Sequence, residues 1–171
     1  TKMKKFCPQF HLSLQSGSDT VLKRMNRHYT TAEYTELCLK LKNAFPDASL
    51  TTDIIVGFPG ETDENFLETV QYAKKTGFMK VHVFPFSPRK GTPAWNYADK
   101  IGNEKKALRC RLLQNECDKI RLKCMEVLVG KTEEVLFETP KNGMQTGYTK
   151  NYTPVVLSSE ASLTGQIRNV K

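Results

Sequence analysis

TTDIIVGFPGET, Thr51 to Thr62, is the stretch on which the reading of this chain turns. Leu50–Val56 is a short, apolar, β-branched run of the kind a parallel strand needs when both its faces are covered. It leads directly into a loop in which Gly57 and Gly60 flank Phe58 and Pro59, so the backbone can turn sharply and come close to a bound molecule. Thr62 is a good N-cap for the helix that follows. Strand, glycine loop and capped helix together are the arrangement of a ligand site, with Gly57 among its contacts. Asp53 interrupts the apolar run, and a carboxylate there is costly unless it is paired or faces a polar site. It is either a satisfied core acid or a ligand contact.

The same grammar recurs on both sides. Phe10–Leu14 reads as a strand, His11 and Ser13 alternating with apolar residues, and it ends in the polar loop Gln15–Asp19. Ser16, Gly17 and Ser18 in that loop have the composition of an anion-binding turn. Asp19 is placed to cap a helix holding Val21, Leu22 and Met25. Thr30 and Glu33 have the spacing of a capping box for a second helix, which reaches Phe45 with Leu37, Leu41 and Phe45 as its apolar stripe, Cys38 beside them, and is stopped by Pro46. Beyond Thr62 a helix with Phe66, Val70 and Ala73 inward runs to Gly77, and a third strand, Val81–Phe84, enters PFSPRKGTPAW. Strand–helix alternation with loops at every strand end predicts parallel β/α units carrying their ligand loops on one edge. Three units do not close a barrel, so the expectation is a part of a larger protein or one completed by oligomerisation, and the absence of Met at residue 1 favours the former. His11 and His82, in strands without acidic neighbours in sequence, are expected to be core or barrel-lumen residues rather than ligands.

Asn103 is the expected cap of the longest helix, reaching Val129, with Cys110, Leu113, Cys117, Ile120, Cys124 and Val127 as one seam. Cysteines seven residues apart on a helix are separated by roughly 10 Å along its axis, too far for one ion, so packing is the expectation and no metal site is assigned. From Lys131 the pattern changes to short strands with a turn at Asn142 and Gly143. Phe137, Tyr148 and Tyr152, interleaved with Lys141, Lys150 and Asn151, are what a stacking surface for single-stranded RNA needs; the alternative is a core aromatic and two hairpin tyrosines.

The net charge of +8 is unevenly placed. Residues 1–30 carry six Lys/Arg against one Asp, and residues 100–131 carry nine against four, whereas 132–171 balance at four and four. Two basic patches are the footprint of a nucleic-acid-binding protein, and equally of solvated helix faces. No run of apolar residues is long enough for a membrane helix, and the polar start TKMKKFCPQF is unlike a signal peptide, so a cytoplasmic protein without a membrane partner is expected. Five cysteines without CxxC spacing read as free thiols.

Taken together, HLSLQSGSD, VLKRMNRHY, TTDIIVGFPGET and HVFPFSPRKGTPA, in that order and spacing, resemble the second half of the radical S-adenosylmethionine domain of the tRNA and ribosomal-protein methylthiotransferases. The tail resembles their TRAM domain, an RNA-binding β-barrel. GYTKNYTPV most resembles the branch acting on threonylcarbamoyladenosine beside the tRNA anticodon. The resemblance implies a partial (β/α) barrel over residues 1–102, a long helix over 103–130 and a TRAM-like β module over 131–171.

For activity, the resemblance implies that S-adenosylmethionine bound to an iron–sulfur cluster is cleaved to a radical that activates an adenine C–H bond for methylthiolation, chemistry carried by the cofactors rather than by side-chain acids or bases. No catalytic side chain is then expected in this chain. Gln15, with Ser16 beside it, would meet the cofactor near its ribose. Arg27 would pair with the methionine carboxylate, or is simply a surface cation near a helix end. Asp53 would accept from ribose hydroxyls or the amino group, and the backbone of Phe84, Pro85 and Phe86 would meet the adenine. Tyr148, Lys150, Asn151 and Tyr152 are the RNA-binding candidates, and the partners implied are the tRNA anticodon region and the N-terminal half of the full-length protein. The family's CxxxCxxC cluster motif is missing from this sequence, which predicts that the cluster ligands lie outside it and that the chain alone is inert. Two alternatives are an RNA-docking module without catalysis and a methylthiotransferase acting on isopentenyladenosine in tRNA.

Overall fold

The computed structural model describes residues 6–171; Lys2, Lys4 and Lys5 of the first basic patch lie outside them. Parallel and antiparallel strands are segregated into two sheets. Strands β1 (Gln9–His11), β2 (Ser49–Val56) and β3 (Lys80–Pro85) form a three-stranded parallel sheet in sequence order, and β4 (Glu133–Phe137), β5 (Gln145–Thr149), β6 (Pro154–Leu157) and β7 (Ile167–Val170) form an antiparallel sheet in the order β6-β5-β4-β7. Helices α1 (Asp19–Arg24), α2 (Thr31–Ala44) and α3 (Asp63–Thr76) join the parallel strands, and α4 (Asn103–Glu126) connects the two sheets.

β2 explains the parallel half. Leu50, Thr52, Ile54 and Val56 are buried on the helix-covered side, where they meet Leu14, Phe66, Ala73, Phe78, Val81, Leu113 and Cys117. Each large apolar side chain in that cluster contributes about 1.5–3 kcal/mol of burial. Thr51, Asp53 and Ile55 point to the opposite face, together with His11 and Ser13 of the neighbouring segment. No residue of β2 is exposed: one side is apolar core, and the other is polar, with Ser49 and Thr51 buried and Asp53 and Ile55 half-buried. β1 is shorter than expected, but residues 12–15 stay beside β2, with Leu12 N donating to Thr51 O (3.0 Å) and Gln15 N to Asp53 O (2.9 Å).

Helix ends follow the sequence in part. The Thr30–Glu33 capping box forms, and Thr62 forms another with Asn65. Gly77 closes α3 in the left-handed conformation. Asp19 does not cap α1; its carboxylate accepts from Thr31 N (2.7 Å) and so ties α1 to the start of α2. Asn103 is the first residue of α4 rather than its cap, a place taken by Gly102. The buried stripe of α2 is Tyr34 and Cys38 with Leu41 against it, while Leu37 is exposed, because the helix is rotated so that the Tyr34 hydroxyl reaches Leu12 O (2.6 Å). On α4, Leu113 and Cys117 are buried and Val127 is exposed. Burial pushes the Cys117 thiol up to about 12, the setting of a packing residue.

α4 also contributes a group that its periodicity conceals. Arg109 is buried, its Nη1 donating to Glu61 Oε2 (2.6 Å) and Glu61 O (3.1 Å) and its Nη2 to Asp63 Oδ1 (2.7 Å). Glu61 Oε2 also accepts from Gly57 N (2.7 Å), and the guanidinium lies over the Phe66 ring. Burial pushes the Glu61 carboxyl up, against the pull of Gly57 N–H and Arg109. A carboxyl raised in the fold favours the folded state below its unfolded value and loses that contribution as pH rises. Arg109→Met, which strands a buried carboxylate, is expected to cost about 3–5 kcal/mol at neutral pH in urea unfolding. The loss should shrink in acid, where Glu61 takes up a proton; a loss independent of pH would show that the pair is not what Arg109 supplies.

Candidate functional site

At the carboxyl ends of the parallel strands lies an open cavity of about 1060 Å³. Gln15, Arg27, Asp53, Phe84, Pro85 and Phe86 all line it, brought from three strand ends and the turn after α1. Gln15 holds its place through the backbone: it exchanges hydrogen bonds with Asp53 O and Ile55 N (both 2.9 Å) at a φ of 71°, unusual for a residue with a side chain. Asn26, beside Arg27, also has a positive φ, of 58°. Such conformations cost about 1–3 kcal/mol each and concentrate at ligand sites. Asp53 is only loosely engaged, with His11 Nε2 at 3.3 Å and Ser13 Oγ at 3.4 Å, which leaves its carboxylate acceptor capacity toward the cavity. His11, which has no acidic neighbour in sequence, finds an acidic partner in Asp53 across the strand pair. Arg27 is exposed and has no ion pair among the described residues. Phe58 packs edge-on against Phe86 (4.9 Å between centroids), giving the cavity an apolar wall.

Ser16 and Gly57 do not line the cavity. Ser16 is fully buried, its hydroxyl 3.2 Å from Thr69 Oγ1, and Gly17 donates to the same oxygen (3.1 Å). A Cβ on Gly17 would stand 2.7 Å from the Thr69 backbone, so this loop is built to seat on α3. Gly57 has a φ of 73°, and a Cβ there would run into Lys106 of α4, so its close approach is to the protein itself.

The far wall is closed by a strap that runs through the PFSPRKGTPAW stretch and is held by contacts with no counterpart among the sequence motifs. Arg24 Nε donates to Pro59 O (2.7 Å), its guanidinium pairs with Asp99 and lies over the Tyr97 ring (4.9 Å), and Gly60 N donates to Asp99 O (3.0 Å). Residues 87–99, including a 3-10 turn at Pro93–Asn96, are thereby pinned to the GFPG loop. An arginine on one helix and a lone aspartate 75 residues later leave no local pattern to find. Arg24→Gln should loosen the strap, speed tryptic cleavage at Arg89 and Lys90, and shift the emission of Trp95, the single tryptophan; unchanged cleavage and emission would show that the strap is held by other contacts.

Among the described residues, no cluster of three or more His, Cys, Asp or Glu side chains is arranged to hold a metal ion, and no helix is long and apolar enough to cross a membrane. The radical SAM superfamily model matches residues 2–73. The chain is 42% identical over 166 residues to a tRNA-2-methylthio-N(6)-dimethylallyladenosine synthase of Endomicrobium trichonymphae, covering 97% of this chain and 40% of that protein. It is 42% identical over 149 residues to a threonylcarbamoyladenosine tRNA methylthiotransferase of Thermotoga maritima (86% and 34%), and 41% identical over 172 residues to one of Bacillus subtilis (98% and 38%). The chain thus spans well under half the length of these relatives. Over most of its length it is similar to part of the tRNA methylthiotransferases, and over residues 2–73 to the radical S-adenosylmethionine superfamily.

Proposed function

We propose that this chain is the cofactor-binding and RNA-binding part of a cytoplasmic enzyme that methylthiolates an adenosine next to the tRNA anticodon. What supports the reading is convergence: six of the eight residues expected to touch S-adenosylmethionine line one cavity at the strand ends. The cavity's chemistry fits the ligand. Arg27 offers a guanidinium to the methionine carboxylate, Asp53 and Gln15 offer polar atoms to the ribose hydroxyls and amino group, and Phe58, Phe86 and Ile55 offer an apolar surface to the adenine. Bound there, with an iron–sulfur cluster, S-adenosylmethionine would supply the radical chemistry that activates the adenine C–H bond. The chain's own residues bind, orient and exclude water, and the cluster ligands would come from the other half of the protein.

In this reading residues 1–102 are the C-terminal half of a radical barrel, 103–130 flank it, and 131–171 are a TRAM-type RNA-binding module. The substrate we infer is threonylcarbamoyladenosine, on the strength of GYTKNYTPV; the name of the Endomicrobium relative supports dimethylallyladenosine as the second reading. In the whole protein, Asp53→Asn and Arg27→Ala are expected to weaken S-adenosylmethionine binding about tenfold in equilibrium dialysis, as befits loss of a charge-assisted hydrogen bond, and to leave RNA affinity unchanged. Equal losses in both would count against these roles for Asp53 and Arg27, and methylthio product from the isolated chain with reductant would overturn the placement of the cluster ligands.

A further inference from the structure

A second cavity, of about 330 Å³, opens at the other end of the parallel strands, where the antiparallel sheet meets their amino ends. We infer that it holds one unpaired RNA nucleotide, its base stacked on Tyr152 and its phosphate met by Lys80 and Arg121. This rests on the RNA part of the proposed function and adds a site distinct from the larger cavity.

The platform is built rather than incidental. Tyr148 and Tyr152 stack with centroids 4.5 Å apart and planes 17° apart, and Tyr152 remains exposed beyond the stack. Tyr152 adopts a φ of 66°, a conformation that a bulky residue takes only when its surroundings impose it. Asn151 imposes it: its Oδ1 accepts from Thr149 Oγ1 (2.5 Å) and Thr153 Oγ1 (3.0 Å), its carbonyl accepts from Ser49 Oγ (2.5 Å), and its amide donates to Asp47 O (3.3 Å). The turn is bolted to the start of β2, and the aromatic pair is carried with it to the cavity mouth. Asn151 therefore acts as a positioning residue, and Lys150 turns away to pair with Glu134. Phe137, the third aromatic of the expected surface, is buried.

The cations come instead from the parallel half. Lys80 and Arg121 line the cavity, no carboxylate does, and neither cation has an ion pair among the described residues. Gln9 and His11 complete the wall through their shared contact with Thr51 Oγ1 (both 3.0 Å). An open aromatic face with unneutralised cations is the combination that grips single-stranded nucleic acid, the base by stacking and the backbone by charge. The volume lies at the lower end of the range of about 300–1,000 Å³ for small-ligand pockets.

The test measures binding of a fluorescently labelled anticodon stem–loop RNA to the whole protein by anisotropy across a salt series. Tyr152→Ala should weaken binding about fivefold or more, and Tyr152→Phe, which keeps the ring, should restore it. Arg121→Gln should weaken binding and lower the salt slope by about 1. S-adenosylmethionine binding measured alongside should be unchanged in all three, which also reports that they fold. Wild-type RNA binding with no effect of Tyr152→Ala or Arg121→Gln would overturn the site and leave the RNA-binding reading standing. No RNA binding by the wild-type protein would overturn both.

Discussion

The buried pair of Glu61 and Arg109 is the constraint on which the parallel half depends. One carboxylate oxygen receives both the Gly57 backbone N–H and the guanidinium, so the loop after β2, the start of α3 and the middle of α4 are fixed by a single contact. The arrangement carries a desolvation penalty. Among the described residues Glu61 Oε1 and Arg109 Nε have no hydrogen-bond partner, and two charges have left water. What the pair secures is the geometry of a loop whose other side carries Phe58 into the cavity wall and, through Pro59 and Gly60, anchors the strap.

Both candidate sites are assembled from groups fixed in this indirect way. At the larger cavity the positive φ of Gln15 and Asn26 is tolerated because sheet pairing on one side and helix α1 on the other over-determine the backbone. At the smaller one Asn151 plays the corresponding part for Tyr152.

How much of this was legible in the sequence can be traced residue by residue. The capping box at Thr30, the N-cap at Thr62 and the strand–loop–helix at Leu50–Thr62 are local, so a short run of consecutive residues contains the whole signal. Asp53 was legible as an anomaly, because a carboxylate in an apolar strand has few explanations. The buried Arg109, the Arg24–Asp99 pair and the Asp53–His11 contact were not, since each joins residues more than 40 apart and neither partner is unusual in its own neighbourhood. Which residues of β2 face the apolar core was less legible for a related reason: Thr is compatible with both core and polar surroundings, so TTDIIV does not declare its period. Thr52 is buried because its hydroxyl finds Leu12 O (2.6 Å), a partner supplied by another strand.

That alternation along β2 has a consequence for how the chain can change. Even-numbered positions from Leu50 to Val56 hold the core together, while Asp53 and Ile55 are half-buried and face the larger cavity. Ligand preference can therefore drift at two positions of one strand with little loss of core packing, whereas a single inserted or deleted residue would exchange the two roles along its whole length. Point substitution is the route to new specificity in this strand, and length variation is confined to the loops.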